Sequence, residues 1–374
     1  MKKGDFLAPL FICAIVLSGC VIDTGAQAGG NLPTPASTDL SATPQNSSPS
    51  SSLPMTFLPV IWSNLNLTGK LVFVVASVQG NNPLMEIQEL DLSTGGLATI
   101  FQAPSLGWIY SAVVSPDGKQ IVMAYSPPSQ GQALYVLPID GSQLPQQLFP
   151  LPSKDDQYLE PAWSPDGKYL YFVHANYALP PEEPNQHYPI FEIYRMAYPG
   201  GQPEKIIDKA YWPRLSADSS NLVYVSENPD DGTNQLFLAN PDGSNPLQVV
   251  LTGPTVPTII DAPIITPDNS LILFSAPVPV QSSASPWLDK LFGAIVASAH
   301  SVPSEWWSVP PAGGAPTQLT HIQAPGLYGS FSPDNQHIAS FSGNGIFVMN
   351  PDGTGLTMVL NDMGGILGTV NWIP

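Results

Sequence analysis

Cysteine is almost absent from this chain: of 374 residues only Cys13 and Cys20 carry a thiol. Both lie in the first twenty positions, so the remainder can form no disulfide framework and no thiolate nucleophile. It has to be held by a packed core and by hydrogen-bond ladders, and at more than 300 residues it is long enough to bury one. Charge is also scarce, at 11% of residues, and what there is leans to one sign: 11 Lys and Arg against 29 Asp and Glu, for a formal net charge of −18. Such a surface repels phosphate backbones, which argues against nucleic acid as a partner, and it is held off anionic lipid headgroups. No apolar run reaches the roughly 20 residues that a membrane-spanning helix needs. The five histidines (His174, His187, His300, His321, His337) are scattered without His-x-x-x-His spacing. There is no Gly-x-Ser-x-Gly elbow and no Gly-rich phosphate loop opening a helix. Neither a metal nor a cofactor is expected, and no catalytic residue is assigned.

Turn formers are abundant instead: 43 Pro and 31 Gly, a composition of many turns and few helices. The N-terminus has its own character. Met1-Lys2-Lys3 is basic, Phe6 to Leu17 is almost wholly apolar, and Leu17-Ser18-Gly19-Cys20 closes the segment with small residues, the layout of a secretory signal. Those last four residues resemble the bacterial lipoprotein box. The resemblance implies cleavage after residue 19, lipidation of Cys20 and a protein exported from the cytoplasm, anchored to the cell membrane or the outer membrane. Residues 20–55 contain no Lys or Arg and no aromatic side chain, and are rich in Ser, Thr, Pro, Ala and Gly. They read as a flexible stalk of roughly 30–35 Å reach by random-coil scaling. Residues 56–374 then form the folded body, its first dozen residues apolar enough to dock onto it.

The body repeats. Ser115-Pro116-Asp117-Gly118, Ser164-Pro165-Asp166-Gly167, Ser216-Ala217-Asp218-Ser219, Thr266-Pro267-Asp268-Asn269 and Ser332-Pro333-Asp334-Asn335 stand 49, 52, 50 and 66 residues apart. A short apolar or aromatic stretch precedes and follows each. A period near 50 with two strands around every turn marks a repeated β-sheet unit. Runs such as Leu71–Val75, Ile121–Tyr125, Tyr169–Val173, Leu222–Val225 and Leu271–Phe274 are apolar at nearly every position, as strands covered on both faces must be. A second series of turns falls at Gly95-Gly96, Asp140-Gly141, Gly200-Gly201, Asp242-Gly243, Gly313-Gly314 and Asp352-Gly353, each a hairpin signal between two strand-like runs.

Six hairpins stand against five Ser-Pro-Asp turns, and the mismatch predicts how the fold closes. The hairpin at Gly95 has no such turn before it, while Leu367–Pro374 looks like the strand that normally precedes one. Residues 366–373 are therefore expected to supply the inner strand of the blade begun at residue 70. That makes an all-β, six-bladed β-propeller of four-stranded blades with no exposed sheet edge; five or seven blades would each ignore one of the two counts. Pro161-Ala162-Trp163-Ser164-Pro165-Asp166-Gly167-Lys168 and its looser copies resemble the PD40, or TolB-like, propeller family over about residues 69–374. The resemblance implies the fold but not one job, since such propellers serve as protein-binding lids, as periplasmic partners and as domains attached to peptidases.

The repeated aspartates read as turn residues: Pro presets φ, Asp accepts hydrogen bonds from the turn backbone, and Gly or Asn takes the left-handed position. Ser219 breaks that pattern, so the fourth blade's turn is expected to differ. Trp163 and Trp372 occupy equivalent repeat positions and read as core. Trp108, Tyr158, Trp212 and Tyr328 fall in or near the segments preceding inner strands, where a propeller's central channel opens, and Asp155, Asp156, Glu160, Lys209, Arg214 and Asp261 fall on or just before those strands. From these the channel-mouth candidates are Glu160, Trp212, Arg214, Asp261 and Tyr328, with Arg214 foremost as a rare cation two residues before a turn. Solvated loop charge is the alternative for the charged ones, and packing between blades for Trp212 and Tyr328.

Two insertions break the period, 175–190 and 277–305. Within the second, Leu288, Leu291, Phe292, Ile295 and Val296 follow helical spacing after Pro286. Trp287, Leu291, Phe292 and Ile295 are thus candidates for a partner-facing surface, or for packing on the helix's own blade. The expected function is non-catalytic binding of a protein or peptide partner by an envelope lipoprotein. A small-molecule or glycan-binding propeller with its ligand in the central channel, and a propeller lyase or hydrolase, are the alternatives.

Overall fold

The computed structural model describes residues 65–79, 82–178, 189–228, 232–254, 256–278, 303–361 and 369–374. The signal segment, Cys20, the stalk and the helical stretch with Trp287, Leu291, Phe292 and Ile295 lie outside the described residues, as does most of the first insertion.

Among the described residues twenty-five strands build six antiparallel sheets. Blade 1 holds β1 (Lys70–Gln79), β2 (Asn82–Asp91) and β3 (Leu97–Gln102). Blade 2 is β4 (Trp108–Val114), β5 (Gln120–Ser126), β6 (Ala133–Pro138) and β7 (Gln146–Gln147). Blade 3 is β8 (Asp156–Trp163), β9 (Tyr169–Asn176), β10 (Ile190–Ala197) and β11 (Glu204–Asp208). Blade 4 is β12 (Ala210–Leu215), β13 (Leu222–Glu227), β14 (Asn234–Ala239) and β15 (Leu247–Val249). Blade 5 is β16 (Asp261–Ile265), β17 (Ile272–Pro277), β18 (Pro303–Val309) and β19 (Thr317–Gln318), with the two-residue β20 (Ala324–Pro325) added on β18. Blade 6 is β21 (Tyr328–Phe331), β22 (Ile338–Ser342), β23 (Gly345–Met349) and β24 (Thr357–Asn361). The last strand, β25 (Val370–Ile373), completes blade 1 by pairing antiparallel with β1, Val370 opposite Phe73 and Trp372 opposite Leu71. The ring is closed as the turn counts require. The strands flanking the two insertions run further than expected: Ala175, Asn176 and Ile190 belong to β9 and β10, and Pro277 and Pro303–Glu305 to β17 and β18.

Closure is more than one strand ladder. The Thr369 hydroxyl donates to the carbonyl oxygen of Ala112 and accepts from its N–H, at 2.6 and 2.8 Å. Asn371 donates to the Ala112 carbonyl at 2.9 Å and accepts from the Val114 N–H at 3.2 Å. On the other flank the Trp372 N–H donates to the Ser330 hydroxyl of blade 6 at 3.0 Å. Blade 1 is therefore fastened to blade 2 by the side chains of Thr369 and Asn371 and to blade 6 by the backbone of Trp372.

The continuous apolar runs become the second strand of each blade. Leu71–Val74, Ile121–Ala124, Leu170–Val173, Leu222–Val225, Ile272–Phe274 and Ile338–Phe341 are all buried, most of them completely. Each such strand lies in a sheet sandwiched between two others, so both faces are apolar. The hydrophobic core is thus distributed between blades, its largest clusters centred on Phe73, Phe274 and Phe341 and on Met123, Phe172 and Tyr158.

The Ser-Pro-Asp turns are uniform, Ser219 included, which overturns the expectation that the fourth blade's turn differs. Gly118, Gly167, Ser219, Asn269 and Asn335 have φ of 69, 69, 59, 59 and 60°. Each donates its N–H to the carbonyl oxygen of the Ser or Thr three residues earlier, always at 2.8 Å. In the fourth blade's turn the Ser216 hydroxyl donates to Asp218 at 2.6 Å, as do the Ser220 N–H and hydroxyl at 3.0 and 2.7 Å. That local web holds Ser219 in a left-handed conformation costing an L residue about 1–2 kcal/mol.

Candidate functional site

Each inner strand can be numbered backwards from its Ser or Thr, the residue opening the turn. Position −2 is then Val113, Ala162, Arg214, Ile264 and Ser330 in blades 2 to 6, and Asn371 in blade 1, where Trp372 matches Trp163. Strand side chains alternate, so positions −2 and −4 share a face. All six residues at position −2 line one cavity of about 200 Å³, with Ala262, Tyr328 and Thr369 from position −4. Because every inner strand contributes, this cavity lies on the propeller axis.

A repeated bulge shapes the layer beside it. In blades 3, 4 and 5 position −3 is Pro161, Pro213 and Pro263, which offers no N–H to the ladder. Two residues there oppose one on the partner strand: the register steps from Leu159↔Val173 to Ala162↔Tyr171, from Tyr211↔Val225 to Arg214↔Val223, and from Asp261↔Ser275 to Ile264↔Leu273. The residue before each proline, Glu160, Trp212 or Ala262, has φ of 47, 59 or 44°. Proline excludes the regular ladder and a bulge re-aims the side chains that follow. Three non-glycine residues in a left-handed conformation around one axis also store strain of order 1 kcal/mol or more each.

Of the five channel candidates Arg214 and Tyr328 line this cavity, while Glu160, Trp212 and Asp261 are not among its lining residues but neighbour those two. Arg214 Nη2 stands 3.7 Å from Glu160 Oε2 across the blade 3–4 boundary, an ion pair longer than a hydrogen bond, with both side chains about four-fifths buried (19% and 16% exposed). The Arg214 guanidinium lies 5.9 Å from the centroid of the Trp212 ring, which packs edge-on against Tyr328 at 5.3 Å. Asp261, Trp212 and Tyr328 are buried. Burial pushes the Glu160 carboxyl up to about 7 against the opposing pull of Arg214. Asp261 also rises to about 7, through burial, with a Trp212 hydrogen bond opposing and the Glu160 charge reinforcing. Burial lowers Arg214, with Glu160 supporting its charge, and raises the Tyr328 phenol well above its ordinary value.

The other polar residues read from the sequence go elsewhere. Asp155 pairs with Lys154 at the surface. Asp156 is turned into blade 3, accepting from His174 Nε2 at 2.7 Å and from Asn176 at 2.8 Å. Lys209 is exposed. Tyr158 packs on Phe149 and Phe172, and Trp108 lies beside Tyr110. Trp372 is buried as expected, but Trp163 is half-buried on the cavity wall, against Tyr198 at 4.6 Å. Sequence reasoning missed Ser330, Thr369 and Asn371, although counting back in twos from each turn finds them. It also missed a chain of charges across blade 3: Asp156, His174, Glu192 at 3.2 Å from His174, then Lys205, which reaches Glu192 at 3.1 Å and Asp208 at 2.7 Å. Asp156, His174 and Glu192 come from three successive strands, each 18 residues from the next, and no local spacing announces them. Among the described residues no three His, Cys, Asp or Glu side chains converge as a metal site, and no helix is long and apolar enough to cross a membrane.

No protein-family model and no curated protein sequence matches the chain. Solved structures do match it. TolB from Acinetobacter baumannii is similar at 18% identity over 82% of this chain and 67% of its own, with a TM-score of 0.58. A chain of Kuenenia stuttgartiensis hydrazine synthase, about half of which is spanned (47%), is similar at 13% identity over 82% of this chain, TM-score 0.56. A chain of the nidogen/laminin complex matches at 10% identity over 81% of this chain and 97% of its own, TM-score 0.55. At these identities the likeness is one of fold. The molecule is thus a closed, six-bladed β-propeller. Within that class its fold is TolB-like.

Proposed function

We propose that this chain is a non-catalytic recognition module, a lipoprotein tethered through Cys20 outside the cytoplasm, whose propeller binds a protein or peptide partner by taking one of the partner's groups into the axial cavity. The observation that carries the reading is Arg214. Its Nη1 donates to the Pro213 carbonyl oxygen at 2.8 Å and its Nη2 only approaches Glu160. The residue lines the cavity, and its printed contacts are the Pro213 carbonyl and the long approach to Glu160. A guanidinium offers five donors in a rigid fork, more than those two contacts occupy.

Size separates a partner's projecting group from a whole ligand. Pockets for drug-sized molecules span roughly 300–1,000 Å³, and this cavity is about 200 Å³. A side chain or chain end fits that volume better than an oligosaccharide. No histidine is among the cavity-lining residues, which weighs against acid–base catalysis on the axis. The nidogen/laminin match is of the same fold in a protein–protein assembly, and the hydrazine synthase match is of that fold in an enzyme, so the fold alone favours neither. Crosslinking on intact cells followed by mass spectrometry tests the reading: wild-type protein should capture a defined partner and Arg214→Met should lose it. Equal capture by both would sink the axial site as the recognition element.

A further inference from the structure

The chemistry of the cavity wall narrows what can enter it. The functional groups it presents are the Arg214 guanidinium, the Tyr328 phenol, the hydroxyls of Ser330 and Thr369, and the Asn371 amide; no carboxylate is among the lining residues. Thr369, Ser330 and Asn371 already serve the ring closure, which leaves Arg214 as the charged group with donors to spare. The rest of the wall is largely apolar: Val113, Val114, Ala162, Ile264 and Val370 among others. A cationic guest would be repelled by the guanidinium, and the one carboxylate paired with that group, Glu160, is not among the lining residues. A neutral polar guest could not replace the charge that Glu160 supplies to the fork.

We infer that the axial cavity binds a carboxylate on a short apolar stem, clasped by Arg214, with Glu160 as the internal counter-charge that such a guest displaces. This rests on the reading of the axis as a recognition site and names the chemistry of that site. Guanidinium and carboxylate match as a bidentate pair. Glu160 Oε2 is buried, makes no hydrogen bond and is held only by the ion pair at 3.7 Å. It is therefore a weak competitor for the fork. When a guest anion takes Arg214, Glu160 loses its counter-charge and gains a like charge nearby, so it takes up a proton. Glu160 titrates near 7 in the free protein, and the charged and titratable groups facing it are Arg214, Asp261 and Tyr328. The guest raises the Glu160 value further. Binding then consumes a proton above pH 7, and affinity falls by up to about tenfold per pH unit there while staying flat below.

The test uses the purified full-length chain and three probes, followed by tryptophan fluorescence or by the indole N–H signals in NMR. N-acetylvaline presents a chain-terminal carboxylate beside a branched side chain, N-acetylvalinamide the same body without charge, and N-acetylglutamate α-amide a side-chain carboxylate alone. At least one acid should bind saturably, ten times or more tighter than the neutral amide, and whichever acid binds tighter identifies the source as a chain end or an acidic side chain. Arg214→Met should abolish the preference. Glu160→Gln, which removes the competitor and leaves the clasp, should bind at pH 8 more tightly than wild type and lose the pH dependence. Equal binding of acid and amide overturns the inference, as does weaker binding by Glu160→Gln at pH 8. A protein partner captured through Arg214 with no carboxylate binding would leave the recognition reading standing and remove this one; carboxylate binding with no captured partner would do the reverse.

Discussion

The same carboxyl group meets two opposite environments along the inner strands of blades 3 and 5 and the turns that follow them. On the turn rim, Asp166 and Asp268 are solvent-exposed and held down to about 2. For Asp166 the largest cause is its hydrogen bond with Lys168, followed by that from the Ser164 hydroxyl. For Asp268 it is the Thr266 hydroxyl, then the Ser270 N–H. A few residues away, Glu160 and Asp261 are enclosed by the blades and pushed up to about 7. The rim residues are satisfied by their own turn. The axial ones depend on groups from other blades. A carboxylate that its neighbours in sequence fully satisfy shapes the chain, whereas one left to distant partners is where a ligand can intervene.

The largest effect that would break this contrast comes from Arg214→Met. It strands the Glu160 charge in the interior and should cost about 3–5 kcal/mol at pH 8, measured by urea unfolding. The loss should shrink at pH 5.5, where Glu160 is neutral; an equal loss at both values would mean that packing, not charge, is what Arg214 supplies.

Next comes the pH profile of the native protein. Glu160 and Asp261 have folded values above their ordinary ones, so the native state holds protons that the unfolded chain releases between about pH 4 and 7. Stability should fall as pH rises through that window, by on the order of a few kcal/mol in total. The rim aspartates have folded values below their ordinary ones, so their contribution is complete above about pH 4 and is lost as pH falls toward 2. The two sets together place the maximum near pH 4–5. Glu160→Gln with Asp261→Asn should flatten the limb between pH 5 and 8 and leave the acid limb unchanged.

Smaller is Asp166→Ala on the rim, which removes the acceptor shared by Ser164 and the Lys168 N–H. It should lower Tm by about 2–4 °C, with no effect on the limb above pH 5. Smallest is Ser219→Gly: relief of a left-handed φ of 59° offsets the added freedom of the unfolded chain, and the change should stay within about 1 kcal/mol.

Much of this architecture is legible in the text of the chain because it depends on neighbours a few residues apart. Ser164-Pro165-Asp166-Gly167 closes its own hydrogen bonds, so its copies mark blades 2 to 6. Leu71–Val75 and Ile121–Ala124 announce strands covered on both sides, and six hairpins against five turns pointed to the pairing of Val370 with Phe73. Ser219 shows the limit of residue-type rules even there: the pattern marked an exception, and the web around Asp218 erased it.

The axial site divides along the same line. Alternation from each turn determined which residues face inward, so Arg214 and Tyr328 could be named from spacing alone. That Glu160 stands at 3.7 Å from Arg214, that Trp163 is a wall and not core, and that Asp156 turns away to His174 were decided only by the tertiary fold. The reason is one of range. A turn or a pleat is set by backbone sterics over four to eight residues, whereas distances across the axis depend on how six twisted sheets and their proline bulges pack, and no single stretch of sequence contains that sum.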